Sequence, residues 1–192
     1  VSGCVELVIK NIGPVTSSLC RLKEGNMLDI LGPLGNTYSL NRKSIWMIGG
    51  GTGIASILFL NSSRFSADPS SIYDRVLWAG KTASALPQEN VMRDKFFSSV
   101  FRQNISFATD DGTAGEKGTA PDVLEKWLKA ASDGTGRTHI IQNSSSAGGY
   151  IKTPDAIVSC GPHAMMKAVK EIADRAGIPT WFSLEEFMAC GA

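Results

Sequence analysis

The sequence has almost no net charge, no closely spaced pair of cysteines and no long apolar run. Its 19 basic and 18 acidic residues leave a formal net charge of +1, which gives no electrostatic basis for binding nucleic acid or an anionic membrane. No apolar stretch approaches the roughly 20 residues that a membrane-spanning helix needs. We therefore expect neither nucleic acid nor a membrane as a partner.

Cysteine and histidine are also too scattered to predict a disulfide framework or a zinc site. The four cysteines are Cys4, Cys20, Cys160 and Cys190, and the chain has only two histidines. A secreted disulfide scaffold is shorter and richer in cysteine, so we predict a cytoplasmic protein. Val1 is not an initiator methionine and no signal-peptide pattern follows it, so we expect a fragment of a longer chain.

One glycine-rich stretch dominates what the sequence does contain. An apolar run over residues 45–48 predicts a buried strand, residues 49–53 read Gly-Gly-Gly-Thr-Gly, and residues 54–60 predict a helix. A strand, a glycine turn and a helix start present free backbone N–H groups to a phosphate. The turn lacks the Lys-Ser/Thr ending of a nucleotide-hydrolysing loop and the third glycine of the usual dinucleotide fingerprint. A tight turn without a ligand is the alternative.

From residue 43 onward, short apolar runs alternate with helical patterns. Strands are predicted over residues 45–48, 75–79, 105–109, 155–159 and 178–183, with a further strand-like run over 139–141. Helices are predicted over residues 54–60, 91–101, from Thr119, and over 163–176. This order predicts an α/β fold with a doubly wound, parallel, five-stranded sheet. The ligand of such a sheet lies at the carboxyl ends of the strands.

Residues 1–42 have a different pattern. Strands are predicted over residues 4–10 and 27–31, joined by a short helix that Thr16 or Ser17 caps and that runs through Leu22. Two strands and one short helix cannot enclose a core. We expect this segment to need more chain or a neighbour.

Several side chains near the predicted strand ends could carry chemistry. Cys160 ends a strand and opens a helix, where a thiol can have a lowered pKa, although a small buried residue is an equal alternative. The polar residues 110–112 and 116–118 bracket a loop, for which a solvated turn is the commoner outcome. Lys81 could face a phosphate or only water. Met165 and Met166 are predicted to be core residues.

Taken in order, these motifs resemble the ferredoxin-reductase-like NAD(P)H:flavin oxidoreductases, and most closely the electron-transfer subunits of class B dihydroorotate dehydrogenases. The matching segments are Gly-Pro-Leu-Gly-Asn at 32–36, the glycine turn at 49–56, Ala-Gly-Lys at 79–81, Thr-Asp-Asp-Gly at 109–112, Gly-Glu-Lys-Gly at 115–118, Cys-Gly-Pro at 160–162, and Ser-Leu-Glu-Glu-Phe-Met-Ala-Cys-Gly at 183–191.

The resemblance implies three domains and three cofactors. Residues 1–42 would be the C-terminal part of an antiparallel β-barrel that binds FAD, 43–183 the NAD(H)-binding domain, and 184–192 the truncated start of a [2Fe–2S] segment. The implied cofactor-binding residues are Gly13, Thr16, Gly32, Pro33, Gly35, Gly49, Gly50, Gly51, Thr52, Gly53, Ile54, Ala79, Gly80, Lys81, Asp110, Asp111, Gly112, Cys160, Gly161 and Pro162.

The resemblance also implies roles and a partner. Cys160 would be the catalytic residue beside the nicotinamide, and Cys190 the first thiolate ligand of the cluster. Electrons would pass between NADH, FAD, the cluster and a catalytic dihydroorotate dehydrogenase subunit or similar redox partner, within a hetero-oligomer that serves pyrimidine biosynthesis.

Three alternatives stay open. The chain could serve a sulfite reductase or hydrogenase complex, whose electron-transfer subunits share these domains. It could be a non-catalytic domain that has lost flavin, because Val15 stands where the family's flavin-phosphate turn, Gly-x-Gly-Thr, has its second glycine. NADH is preferred over NADPH only because no Arg/Ser pair for a 2′-phosphate follows Gly80.

Overall fold

The computed structural model describes residues 5, 7, 9–32, 38, 42, 44–67, 74–86, 105–133 and 152–184. The chain divides into two compact units, Val1–Leu40 and Asn41–Ala192. The described part of the first unit contains one short helix, α1 (Pro14–Leu19), and no strand. The antiparallel barrel that was expected here is therefore not confirmed.

The predicted strand over residues 27–31 is wrong. These residues form no strand, and their apolar side chains are open to solvent, with Met27 95% and Leu31 77% exposed. A strand needs a neighbour to take its backbone hydrogen bonds, and the described residues of this unit supply none. Of the strand expected over 4–10, residues 5, 7, 9 and 10 are described and lie outside any strand.

The start and end of α1 also differ from the prediction. Gly13 is the residue that precedes the first turn, Pro14 is the first helical residue, and the helix ends at Leu19. Thr16 does not cap the helix N-terminus, because it is the third helical residue. Its Oγ1 instead accepts hydrogen bonds from the backbone N–H groups of Ile12 and Gly13, both at 3.0 Å.

The second unit is the predicted parallel α/β sheet, but with six strands. They are β1 (Ile45–Gly50), β2 (Arg75–Gly80), β3 (Ile105–Thr109), β4 (Glu116–Lys117), β5 (Ala156–Cys160) and β6 (Thr180–Ser183), in the order β4-β3-β2-β1-β5-β6. All neighbouring pairs are parallel. Within the described residues, three helices accompany them: α2 (Ile54–Ala67), α3 (Ala120–Ser132) and α4 (His163–Arg175).

The unpredicted strand, β4, is only two residues long, which is too short for any alternating pattern. It pairs with the end of β3, where Glu116 lies opposite Ala108. The Glu116 carboxylate accepts a hydrogen bond of 3.0 Å from Nε1–H of Trp127 on α3. The Arg75 guanidinium lies 5.3 Å from the centre of the Trp127 ring, and burial lowers the pKa of Arg75 against the opposing effect of Glu116. Side-chain contacts with α3 and β2 thus hold the edge strand β4 in place.

Helices cover both faces of the sheet, as expected for a doubly wound fold. A methyl group added at Gly49 would meet Ile54 of α2, whereas one added at the next residue, Gly50, would meet Met165 of α4. Adjacent residues of a strand point to opposite faces, so α2 and α4 lie on opposite sides of β1. All six residues of β1 are buried, which explains its unbroken apolar run.

The helix starts are close to the predictions. Thr119 caps α3: its Oγ1 accepts from the Asp122 N–H, and the Asp122 carboxylate accepts from the Thr119 N–H at 2.9 Å. Helix α2 runs seven residues beyond the predicted end at residue 60, and α4 starts at His163 as predicted. The helix expected over 91–101 and the strand expected over 139–141 lie outside the described residues.

Two aspartates fasten the amino ends of the central strands. The Ile45 N–H donates to Asp74 Oδ1 at 2.7 Å, and the Ser44 N–H donates to Asp155 Oδ2 at 3.0 Å. Asp74 also forms an ion pair with Arg64 of α2, with 2.6 Å between Nε and Oδ2. Carboxylates therefore hold the amino ends of the central strands, and the glycine turns lie at the carboxyl ends.

Candidate functional site

The glycine turn lies at the carboxyl end of β1, beside the carboxyl end of β5. Successive strands run outward from β1 to β4 on one side, and β5 then returns to the other side of β1. A crevice at such a reversal of strand order is where ligands bind in open α/β sheets. Gly49 and Gly50 belong to β1 rather than to the turn, and a 3₁₀ turn, Gly51–Gly53, leads into Ile54 of α2.

The two turns that flank this crevice meet at backbone contact. A methyl group added at Gly53 would lie 2.6 Å from the carbonyl carbon and oxygen of Cys160. Gly161 adopts φ +155, and a methyl group there would lie 3.0 Å from Cα of Gly50. The glycines are thus required by the close approach of β1 and β5. The structure brings together the predicted residues Gly50, Gly53, Cys160 and Gly161.

Gly51 differs from its neighbours because it faces open space. It adopts φ +56, in the left-handed region that glycine occupies readily, and no atom lies within 4 Å of an added methyl group. Thr52 follows it in the same turn and is partly exposed. The backbone at Gly51 and Thr52 is consequently open to a ligand, whereas Gly53 packs against the end of β5.

Helices α2, α3 and α4 begin in different ways. The Thr119 hydroxyl and the Asp122 carboxylate accept hydrogen bonds from backbone N–H groups at the start of α3. No side chain in the described part of the chain caps the 3₁₀ turn that leads into α2 or the start of α4, and neither helix has an acidic residue in its first turn. Helix N-termini carry partial positive charge, so the starts of α2 and α4 are suited to an anion.

Cys160 is the last residue of β5, which ends one residue beyond the strand predicted over 155–159. It is paired in register with Gly49 on one side and Ser183 on the other, and its side chain is only 4% exposed. Its thiol is free. The neighbouring Ser159 is fully buried, and its Oγ has no hydrogen-bond partner in the described part of the chain.

The loops after β2 and β3 also lie at the carboxyl ends of the strands, on the side of β1 opposite to β5. Backbone N–H groups of Asp110 and Asp111 donate to the carbonyl oxygens of Gly80 and Lys81, at 3.1 and 3.3 Å. The Ala83 N–H donates to Oγ1 of Thr113 at 2.8 Å. Hydrogen bonds therefore join Gly80 and Lys81, at the end of β2, to Asp110 and Asp111, after β3. These residues form one wall of the crevice.

Thr113, which was not predicted as a site residue, holds this wall together. Its hydroxyl accepts from Ala83 and donates to Oδ1 of Asp111 at 2.7 Å, while its N–H donates to the same oxygen at 3.0 Å. The signal in the sequence is the Asp-x-Thr spacing, which is typical of a side chain that closes a turn on the backbone two residues later. Gly112, with φ +77, allows the tight reversal between them.

The bonds from Thr113 lower the pKa of the Asp111 carboxyl below its ordinary value of 3.8, the hydroxyl contributing more than the N–H. A depressed carboxyl pKa means that this cross-link is complete at neutral pH and is lost as the pH falls below 3.8 through the lowered value. We expect Thr113→Val to move the Asp111 midpoint back toward 3.8 in a carbon-detected NMR titration, because it removes the main donor. Thr113→Ser keeps both donors and should titrate like the parent chain; equal midpoints for parent and valine variants would contradict the assignment.

The remaining predicted residues belong to the first unit or lie outside the described residues. Gly13, Thr16 and Gly32 belong to the first unit, and Pro33, Gly35 and Cys190 lie outside the described residues. In the described ranges, no group of three or more His, Cys, Asp or Glu side chains could hold a metal ion. Nor does any helix of those ranges have the length and apolar character needed to cross a membrane.

A mostly apolar groove between α4 and β6 was not predicted from the sequence. Its walls are formed by His163, Met166, Lys167, Lys170, Phe182 and Leu184. None of the glycine-turn residues lines it.

Comparison with solved structures identifies the fold. A chain from the structure of an NADH-dependent reduced ferredoxin-NADP oxidoreductase superposes with a TM-score of 0.67 and 25% identity, covering 95% of this chain and 56% of that one. The CS-b5R domains of human Ncb5or, in the NAD⁺ form, superpose with a TM-score of 0.62 and 16% identity, covering 92% of this chain and 47% of that one.

Curated relatives give the sequence relationship. The electron transfer subunit of dihydroorotate dehydrogenase B (NAD(+)) from Caldanaerobacter subterraneus subsp. tengcongensis is 29% identical over 180 residues, which are 93% of this chain and 58% of the relative. A homolog of that subunit from Thermotoga maritima is 29% identical over 191 residues, covering 98% and 57%. The chain thus spans a little under 60% of the length of these relatives.

No family model matches the sequence. The structural and sequence comparisons nevertheless agree with each other, and they confirm the resemblance on which the sequence-based expectations rest. The chain has a ferredoxin-reductase-like fold, and its sequence is similar along nearly its whole length to the electron-transfer subunits of dihydroorotate dehydrogenase B.

Proposed function

We propose that this chain is the NAD(H)-binding part of an electron-transfer oxidoreductase subunit that works with FAD and a [2Fe–2S] cluster, and that its redox partner is a catalytic dihydroorotate dehydrogenase subunit. The observation that carries the proposal is the meeting of two glycine turns, with uncapped helix starts, where the strand order reverses. The sequence similarity supports the choice of reaction and partner.

The residues at the crevice fit a dinucleotide. The open backbone of Gly51 and Thr52 and the N-terminus of α2 would bind the pyrophosphate, because free N–H groups and the helix dipole both favour an anion there. No acidic side chain in the first turn of α2 or α4 would repel it. The wall formed by Gly80, Lys81, Asp110 and Asp111 would take the adenosine end.

NADH, when bound, would supply a hydride, which carries one proton and two electrons, for the flavin. The task of the chain is to hold the nicotinamide and keep water from it. Cys160, Gly161 and Pro162 would contact the nicotinamide, and the small Cys160 side chain would leave room for a flat ring. Gly13, Thr16 and Gly32, with Pro33 and Gly35, would contact FAD, and Cys190 would supply one cluster thiolate.

The test uses the full chain. NADH should bind saturably in calorimetry, with a dissociation constant on the order of 1 μM to 1 mM, the usual range of substrate affinities. ADP-ribose, which carries the pyrophosphate without the nicotinamide, should compete. Anaerobic addition of NADH to the FAD-loaded chain should bleach the flavin absorbance at about 450 nm.

A colourless chain that binds neither NADH nor ADP-ribose would overturn the proposal. NADPH, titrated in parallel, tests the preference for NADH. Directly after Gly80 the sequence has Lys81 and Thr82, and no Arg/Ser pair that would bind a 2′-phosphate. A partner purified with the chain would distinguish dihydroorotate dehydrogenase from a sulfite reductase or hydrogenase complex.

A non-catalytic domain without flavin is the second candidate, and one observation favours it. The Thr16 hydroxyl, expected at a flavin phosphate, already bonds the backbone of its own turn: it accepts from Ile12 and Gly13 and donates to the Gly13 carbonyl at 3.1 Å. The visible spectrum of the chain after incubation with FAD separates the candidates, because flavin bands that persist through gel filtration exclude this one.

A further inference from the structure

Met165 lies between the two glycine turns. A methyl group added at Gly50 would lie 2.6 Å from its Sδ and 3.2 Å from its Cε, and one added at Gly161 would lie 2.8 Å from that Cε. The thioether therefore occupies the space that two absent side chains leave at the ends of β1 and β5. Met165 was predicted to be a core residue, and it does pack against the core cluster, but it is only partly buried.

The neighbouring methionines of this unit provide a contrast. Met166, the next residue of α4, is buried, and Met47 within β1 is fully buried. Residue Met165 is thus more exposed to a reagent in solution than Met166 or Met47. The Met165 thioether also lies against Gly50 and Gly161, two of the residues proposed to bind the dinucleotide.

Oxidation would change what this side chain can do. A thioether is apolar and flexible, and a sulfoxide is polar, chiral and larger by one oxygen atom. The contacts of Met165 with Gly50 and Gly161 leave no room for that oxygen on the side of the turns. A sulfoxide must therefore either push the turns apart or swing away and leave them unsupported.

We propose that Met165 is a modification site through which peroxide lowers the affinity of the chain for its dinucleotide. This inference rests on the proposed function, since it concerns the same crevice. A sulfur lone pair attacks one oxygen of hydrogen peroxide, the O–O bond breaks, an S–O bond forms and water leaves. Sulfur is oxidised by two electrons and peroxide is reduced; a methionine sulfoxide reductase reverses the change.

The experiment treats the full chain with graded hydrogen peroxide. Peptide mass spectrometry follows each methionine and Cys160, calorimetry gives the NADH dissociation constant, and circular dichroism follows the fold. We expect the Met165 sulfoxide to form before those of Met166 and Met47, and the NADH dissociation constant to rise about tenfold in proportion to it. The melting of the sheet should change much less than the affinity.

Two variants sharpen the test. Met165→Leu keeps the apolar volume and should bind NADH equally well before and after peroxide. Met165→Gln places a polar group of similar length at the same position and should bind NADH weakly without any peroxide. Should the leucine variant fail to fold, the glutamine variant and the mass spectrometry still decide the question.

Complete oxidation of Met165 without loss of affinity would overturn the inference, as would a loss that persists in Met165→Leu. The untreated chain tests the proposed function separately, because its failure to bind NADH refutes that function whatever peroxide does to Met165.

Discussion

Replacing Gly53 by alanine should abolish most dinucleotide binding while the core of the sheet still folds. The added methyl group would lie 2.6 Å from the backbone carbon and oxygen of Cys160 and 2.8 Å from the Gly161 nitrogen. These are backbone atoms of a strand end, which cannot rotate away as a flexible side chain can. The two turns must therefore separate, and the starts of α2 and α4 move apart with them.

The magnitude follows from the cost of overpacking. Forcing a methyl group into a filled space costs about 1–3 kcal/mol, which lowers the melting temperature of a chain of this size by roughly 2–12 °C. NADH affinity should fall about a hundredfold, because each backbone hydrogen bond to the charged pyrophosphate that is lost costs about 1.5–3 kcal/mol and every 1.4 kcal/mol is about tenfold in affinity. Calorimetry and thermal melting of Gly53→Ala measure the two quantities separately.

Gly177→Ala is the matched control. It adds the same methyl group at a glycine with φ +68 and no atom within 4 Å, just after the C-terminus of α4. Its left-handed backbone should cost roughly 1–2 kcal/mol, with unchanged NADH affinity. Wild-type affinity in Gly53→Ala would show that binding does not depend on the contact between the turns.

The second large effect is expected at the amino ends of the central strands, where Asp74→Ala should strongly lower the free energy of unfolding. Asp74 is 1% exposed and accepts hydrogen bonds from the Ile45 N–H at 2.7 Å and from Arg64 Nε at 2.6 Å. Its loss removes the carboxylate partner of the Arg64 guanidinium, which is 11% exposed, and the acceptor of the buried Ile45 N–H group. Breaking a buried ion pair costs about 3–5 kcal/mol.

Urea unfolding monitored by fluorescence measures that loss. Asp174→Ala is the control, because its ion pair with Lys170 is exposed, at 57% and 55% of the side chains, and such pairs contribute about 0–1 kcal/mol. The double variant Arg64→Leu/Asp74→Leu should lose less than the sum of the two single leucine variants, since it leaves no unpaired charge. Strict additivity would show that the two side chains are not coupled.

The sequence predicts the central strands well because their burial makes them continuous apolar runs. β1 and the turn after it combine such a run with glycines whose spacing already indicates a close approach. The start of α3 is equally predictable, since Thr119 and Asp122 stand three residues apart, as a reciprocal cap requires. Local chemistry alone determines these features.

The predictions fail where tertiary contacts decide the structure. β4 has two residues and no periodicity of its own, and it depends on β3 and Trp127. The apolar residues 27–31 have a strand-like pattern but no neighbouring strand among the described residues. The Asp-x-Thr spacing indicates the turn at Asp111, but the hydrogen bond from Ala83 to Thr113 joins residues 30 positions apart and cannot be read from spacing. The contacts of Met165 with Gly50 and Gly161 likewise depend on how the ends of β1 and β5 meet.

The register of β1 with β5 has a consequence for how the chain folds. The Ser44–Asp155 bond at the start of this pair joins residues 111 positions apart, and closing so long a loop is slow because its entropy must be lost before the contacts form. β1 to β4 can associate through nearer contacts first. The crevice itself is complete only after β5 has paired with β1, so NADH binding would report the last step of folding. NADH present during refolding would stabilise the completed sheet.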